Sequence, residues 1–172
     1  MKTHTRLIAA IFALCTLAAA WPASAAPDPT DFFLKVTGVN GGSRQVDHMK
    51  WIDIEGFTLD VSHPLGQTAV PGPMRIAKKL DRATVGLAFA ALGGGLVSEV
   101  IVDACAVIGD AGLKPIFQLV LTGVFITAVQ PEQGGKNATE VVVFDGYHAM
   151  QMIYYIYNNS GVLVGKIEKS YP

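Results

Sequence analysis

The residues of this chain that could perform chemistry are few and scattered. His48, His63 and His148 lie in three different segments, and no cysteine stands beside any of them. Because the histidine and cysteine ligands of a zinc ion normally recur at short spacings, no metal site is predicted. The chain also has no G-x-S-x-G turn that would present a nucleophilic serine. Its glycine runs lack the lysine and the strand-to-helix setting of a phosphate-binding loop.

The remaining nucleophiles and carboxylates form no catalytic pattern either. Asp60, Ser62 and His63 are close in sequence, but neighbouring strand residues point to opposite faces of a sheet. Nothing places a second carboxylate opposite Asp103, and Cys105 stands between two alanines as a small core residue would. We therefore expect a protein that is not an enzyme and that binds no cofactor or metal.

The first 25 residues have the layout of a secretory signal peptide. Lys2 and Arg6 precede an uncharged apolar run over residues 7–20, and Ala23 to Ala25 form a small-residue cleavage site. A retained membrane anchor is the weaker alternative, because this run is shorter than the ~20 residues that a spanning helix needs. We expect cleavage after Ala25 and one domain over residues 26–172 without a transmembrane segment. The location would be secreted or periplasmic in a Gram-negative bacterium.

Composition excludes several classes of protein. The chain has 13 Lys+Arg against 14 Asp+Glu, so it lacks the basic surface of a nucleic-acid-binding protein. A hydrophobic content of 51% excludes a disordered chain. Without the leader only Cys105 remains, so no intramolecular disulfide can form. The fold must therefore be held by its core or by association with other copies.

After the leader, the chain is dominated by strand patterns. Residues 51–61 place their apolar side chains on even positions before Gly56 and on odd positions after it, which requires a bulge or bend. About eight apolar segments alternate with turns such as Asp145-Gly146, which predicts an antiparallel barrel or sandwich. The segment 116–129 is apolar at both odd and even positions. We expect neighbouring copies of the chain to cover its second face.

One helix is predicted, over residues 82–92. Asp81 is its candidate N-cap, and Val85, Phe89 and Leu92 recur at the spacing of a single helix face. Three consecutive glycines end it.

Several stretches together resemble the hemolysin-coregulated protein (Hcp) family of bacterial type VI secretion. Residues 31–39, followed by Gly42-Ser43, are similar to the family's opening "FLKI-x-G-I-x-GES". Residues 50–64 are similar to its "GWI-x-V…F…V-x-QP" segment, and the aromatic strand around Tyr154-Tyr155 falls where the family has its closing strands. The order of these segments carries the resemblance over nearly all of residues 31–172.

The resemblance implies an antiparallel β-barrel of two sheets with one flanking α-helix. It also implies that six copies close into a ring, that rings stack into a tube, and that effectors and other type VI components are partners. Tube proteins of this family are not expected to carry a signal peptide, so the leader indicates an exported relative. The alternative function is a secreted β-barrel module that binds a small apolar ligand or a host surface.

The resemblance also implies a subunit interface. Residues 62–73 contain three prolines and two glycines without periodicity, which predicts a long loop. This segment matches the extended loop by which the family reaches neighbouring subunits. The interface candidates are Ser62, His63, Pro64, Leu65, Gly66, Gln67, Pro71, Gly72 and Pro73.

Overall fold

The computed structural model describes residues 27–62, 65, 70–132 and 138–172. The predicted signal peptide lies outside the described residues, as do His63, Pro64, Gly66 and Gln67 of the predicted interface loop. Strands and one helix make up most of the described part. They are β1 Asp31–Val36, β2 Ile52–Ile54, β3 Gly56–Ser62, β4 Val70–Lys79, α1 Ala83–Gly93, β5 Leu96–Val107, β6 Leu113–Pro131, β7 Thr139–Asp145, β8 Ala149–Tyr157 and β9 Leu163–Tyr171.

All strand pairs are antiparallel, and the long strand β6 connects the two halves of the fold. Its first half pairs with β8 over Phe117 to Thr122, and its second half pairs with β7 from Phe125 onward. The strands are hydrogen-bonded in the order β2-β1-β5-β6-β7-β4-β3. β8 branches from this order by pairing with β6, and β9 pairs with β8. The predicted mainly antiparallel β fold with one helix is confirmed in the described residues, where the nine strands form one branched hydrogen-bonded sheet.

One bent segment links the two ends of this path. β2 pairs with β1 and β3 pairs with β4, while Glu55 between them donates its backbone N–H to the oxygen of Ala77 at 2.8 Å. The bend predicted at Gly56 is therefore present, and it moves the chain from one half of the sheet to the other. In the described part, β2 and β3 are connected by the chain itself and not by a ladder of backbone hydrogen bonds. The barrel is therefore not closed by strand pairing.

The second apolar face expected on β6 is smaller than the sequence indicated, since Val120 and Phe125 lie on it while Val124 and Ile126 do not. Whether neighbouring copies cover this face stays a prediction. The alternation of the β6 side chains shifts at Gly123, which has φ 61°. Leu119 and Leu121 before that glycine, and Val124 and Ile126 after it, consequently enter the same core. Side chains that a strict period of two would place on opposite faces thus share one face.

The start of β4 also differs from the prediction, because Pro71, Gly72 and Pro73 lie in a strand and not in a loop. This part of β4 pairs only with β3, since pairing with β7 begins at Met74. A strand with one neighbour tolerates prolines, which cannot donate to a second ladder. Ser62 likewise ends β3 and does not begin a loop. Whether this segment forms an interface stays a prediction.

The helix α1 lies within one residue of its predicted bounds, 82–92, but its N-cap is Arg82 and not the predicted Asp81. Asp81 Oδ1 accepts the backbone N–H of Ala83 at 2.9 Å, while the N–H of Asp81 donates to Thr84 Oγ1 at 3.1 Å. These two bonds satisfy backbone donors next to the first turn from the residue that precedes the N-cap. The left-handed Gly94 ends the helix by donating its N–H to the oxygen of Ala91. Within the described residues, no helix is long and apolar enough to cross a bilayer.

Candidate functional site

The most concentrated group of reactive side chains surrounds His48. The segment between β1 and β2 folds back over the sheet, so that the His48 ring stacks on Phe33 with centroids 4.2 Å apart. His48 Nε2 lies 2.9 Å from Asp103 Oδ2 and 3.9 Å from Cys105 Sγ. Gln118 Nε2 donates to the other oxygen of Asp103 at 2.8 Å. Histidine, carboxylate and thiol thus meet in a buried cluster.

This cluster does not have the geometry of a cysteine hydrolase. In such an enzyme the carboxylate orients one ring nitrogen and the thiol faces the other. Here Asp103 and Cys105 both approach Nε2, and Nδ1 of His48 has no hydrogen-bond partner among the described residues. Burial, followed by the negative charge of Asp103, raises the pKa of the Cys105 thiol to about 12. The thiol therefore stays protonated and is a core group, as its sequence setting indicated.

We expect the Cys105 thiol to be almost inert in the folded protein. A rise of the pKa from 9.0 to about 12 lowers the thiolate fraction near pH 8 about a thousandfold, and the side chain is fully buried. Reaction with a colorimetric disulfide reagent should be slow in buffer and fast in denaturant. Fast labelling under native conditions would contradict this assignment.

The same pKa shift predicts how stability changes with pH. Because the folded state holds the thiol proton more tightly than the unfolded chain, this contribution is complete below about pH 9 and is lost as the pH rises toward about 12. Urea denaturation at several alkaline pH values, compared with a Cys105→Ala variant, should show a steeper decline for the unaltered protein.

A second buried polar cluster ties the helix to the sheet. Lys78 Nζ donates to Glu140 Oε1 and Asp81 Oδ1, both at 2.7 Å, and to the backbone oxygen of Lys79 at 2.7 Å. Thr84 Oγ1 donates to the same Glu140 oxygen at 2.9 Å. Lys78 and Glu140 are completely buried. Since the ammonium is satisfied by anions and a carbonyl, this cluster is an ion-paired anchor for the start of α1.

The described residues contain no group of three or more His, Cys, Asp or Glu side chains that could hold a metal ion. His148 lies directly against Gly123: a Cβ added to Gly123 would be 2.8 Å from Nδ1 of His148. Of the two sequence-predicted candidate histidines that the structure describes, His48 and His148, His48 is the one that joins other reactive groups. Sequence reasoning missed this, because nothing near His48 in the chain indicates a partner 55 residues away.

The helix exposes its apolar stripe. Val85, Phe89 and Leu92 all point outward, with Phe89 70% and Leu92 82% exposed. The core side of α1 is formed instead by Ala83 and Leu87, which are fully buried. We call the outward stripe the helix ridge. The sequence predicts that these three residues share one helix face, but it does not predict that this face points to the solvent.

A second exposed apolar surface lies around the β8–β9 hairpin. The edge strand β9 pairs only with β8, and its large apolar side chains are exposed. Next to it is a groove of about 620 Å³, which we call the aromatic groove. Among the described residues, no charged one lines it. Its lining is mainly Val107, Ile108, Ile116, Tyr154, Tyr155 and Tyr157, with Asn158 and Asn159 as polar members.

The groove's inner tyrosines are fixed by their hydroxyls. Tyr157 donates to the backbone oxygen of Pro115 at 3.0 Å, and Tyr155 donates to Gln118 Oε1 at 3.4 Å. Burial raises the pKa of both phenols, so they remain neutral. The groove is therefore lined mainly by apolar and aromatic groups, and the hydroxyls of Tyr155 and Tyr157 are paired within the protomer.

One family model and several solved structures match the chain. The family model described as "Type VI secretion system effector, Hcp" matches residues 33–154, well over half of the chain. A search of curated proteins finds no match.

Solved structures share the fold. A structure described as a type six secretion system protein is 24% identical, covers 82% of this chain and 94% of its own, and has a TM-score of 0.70. A type VI secretion system effector from Yersinia pestis is 23% identical, with coverage of 82% and 98% and a TM-score of 0.68. Hcp1 from Salmonella typhimurium is 17% identical, with coverage of 82% and 93% and a TM-score of 0.67. The family match and the shared fold agree, and the chain belongs to the Hcp family of type VI secretion system effectors.

Proposed function

We propose that this chain is an exported, non-enzymatic ring-former whose copies associate through the apolar surfaces that each protomer leaves exposed. The helix ridge is the observation that carries the proposal. An 11-residue helix without a charged side chain turns Val85, Phe89 and Leu92 to the outside. Contiguous exposed apolar surface of this kind marks an interaction site in a secreted protein.

Six copies in a ring are the assembly that the family resemblance implies. The predicted interface segment supports it in part, since Leu65 is 99% exposed and Ser62, Pro71, Gly72 and Pro73 lie on the pair β3–β4. His63, Pro64, Gly66 and Gln67 belong to the same proposal on the ground of their sequence. Effectors and other type VI components would be the further partners of such a ring.

The absence of catalysis is part of this proposal. The thiol of Cys105 is buried and protonated, and the carboxylate of Asp103 approaches the same nitrogen of His48 as the thiol does. Lys78 is held by two carboxylates and a carbonyl, so its amine is not available as a base or nucleophile. Both reactive clusters therefore have structural roles.

Export is proposed from the leader. Residues 1–25 would direct the chain across the inner membrane and be removed after Ala25, which gives a periplasmic or secreted protein. Cell fractionation followed by N-terminal sequencing tests this directly. A native protein that starts at Ala26 in the periplasm or medium is expected, whereas an intact leader on a cytoplasmic protein would contradict export.

Assembly is tested by the mass of the native protein. Sedimentation equilibrium at micromolar concentration should give six times the protomer mass, and negative-stain images should show rings. Leu92→Lys should dissociate the ring, because it places a charge on the helix ridge. Val46→Lys is the matched control, since Val46 is also 82% exposed but lies between β1 and β2. A monomeric unaltered protein would refute the ring.

A second candidate function is a module that binds a small apolar ligand. The aromatic groove of about 620 Å³ favours it, because such pockets combine apolar walls with a few fixed polar groups. This function predicts a monomer whose melting temperature rises with an apolar ligand. A ligand screen by thermal shift on the monomer would identify it.

A further inference from the structure

A closed ring of identical copies needs two different surfaces on every copy. A surface that binds its own equivalent produces a two-fold dimer, and growth then stops. The ring proposed above therefore requires the helix ridge to meet a different surface on the next copy. In the part of the chain that the structure describes, the aromatic groove is a concave, largely apolar surface that could receive it. A second groove, at Phe57 and Ile76, is less suited because Glu55 and Arg75 also line it.

Charge favours this pairing. The helix α1 contains no charged residue, and none of the described residues that line the groove is charged. Docking one on the other thus buries none of these residues as an unpaired charge, which would strongly oppose association. The hydroxyls of Tyr155 and Tyr157 already have partners within the protomer, so covering them breaks no hydrogen bond to be replaced.

The shapes of the two surfaces are also suited to each other. Val85, Phe89 and Leu92 form a convex row along one side of a helix, with the large ring of Phe89 at its middle. The groove offers aliphatic and aromatic walls with Val107, 60% exposed, on its rim. A helix that places residues i, i+4 and i+7 into an apolar groove is a common mode of recognition.

We propose that the helix ridge of one copy docks into the aromatic groove of the next copy, so that ring contacts are head-to-tail. This inference rests on the proposed ring and specifies which surfaces form it. The occupant of the groove is a second copy of this chain.

Two single variants test the pairing. Phe89→Glu alters only the ridge, and Val107→Glu alters only the groove; both side chains are exposed, so folding should be preserved. Each variant alone should be monomeric, with the dissociation constant raised about thirtyfold or more. Melting curves that match the unaltered protein confirm that the loss is not caused by unfolding.

The decisive measurement is a mixture of the two variants. A Phe89→Glu copy keeps its groove and a Val107→Glu copy keeps its ridge, so one intact contact remains and an equimolar mixture should form a one-to-one dimer. Native mass spectrometry distinguishes this dimer from the two monomers.

The other outcomes overturn the inference in distinguishable ways. If Val107→Glu still forms rings, the groove is not the partner of the ridge, and the proposed ring stands without it. If both variants are monomeric but the mixture contains no mixed dimer, the two surfaces do not contact each other. If the unaltered protein is itself monomeric, the proposed function and this inference fail together.

Discussion

Replacement of Lys78 by methionine is expected to lower the free energy of unfolding by roughly 3–5 kcal/mol, because it leaves buried carboxylate charge unpaired. The ammonium lies 2.7 Å from Glu140 Oε1 and 2.7 Å from Asp81 Oδ1, and Glu140 is completely buried. Methionine has a similar volume, so the loss arises from the charge and not from a cavity. Urea denaturation monitored by circular dichroism measures it.

The neighbouring residue supplies the control for this prediction. Lys79 is exposed on the same strand, and Lys79→Met should change stability by no more than about 0.5 kcal/mol. The double variant Lys78→Met with Glu140→Gln should recover part of the loss, since it also removes the stranded charge. Equal effects of the Lys78 and Lys79 substitutions would show that the buried pair contributes nothing to stability.

The helix shows how far local sequence can predict a structure. Asp81 bonds to the first turn and Gly94 ends the helix, and both signals act within a few residues, so both ends were predictable to within one residue. Its orientation was not predictable, because α1 is apolar nearly all round and no polar face marks the solvent side. Tertiary packing placed Leu87 inward and Phe89 outward.

Glycines within strands explain the mixed success with the sheet. The shift at Gly56 was predicted because the apolar residues change parity across it, and the structure has the bend there. The same kind of shift at Gly123 was not predicted, so the sequence analysis assigned Val124 and Ile126 to the second face of β6, whereas they lie in the core. A strand that seems apolar on both sides should therefore first be examined for a glycine that moves its side chains to one face.

The buried His48–Asp103 pair lies beyond sequence reasoning. Its members come from a short 3-10 turn and from the middle of β5, and only the pairing of β1 with β5 brings them together. No residue adjacent in sequence to His48 or to Asp103 indicates that the two side chains are partners. Contacts of this kind are fixed by topology, which spacing and composition do not encode.

The turn that carries His48 depends on one close backbone approach, and its disruption is the second large effect expected. A Cβ added at Gly41 would lie 2.1 Å from the backbone oxygen of Trp51 and 2.5 Å from the backbone nitrogen of Ile52. These atoms belong to the segment that enters β2, so no flexible side chain can move aside. Gly41→Ala should therefore lower the free energy of unfolding by roughly 3 kcal/mol.

The adjacent Gly42 supplies the control for this prediction. Gly42 is exposed and a Cβ there would meet nothing within 4 Å, so Gly42→Ala should stay within about 0.5 kcal/mol of the unaltered protein. Because Gly41→Ala pushes the Trp51 backbone, it should also displace His48, whose ring lies edge-on to Trp51 at 4.7 Å. Cys105 beside His48 should then react faster with a thiol reagent, even under native conditions. If Gly41→Ala and Gly42→Ala unfold at the same urea concentration, the backbone of the turn does not approach Gly41 as closely as the structure places it.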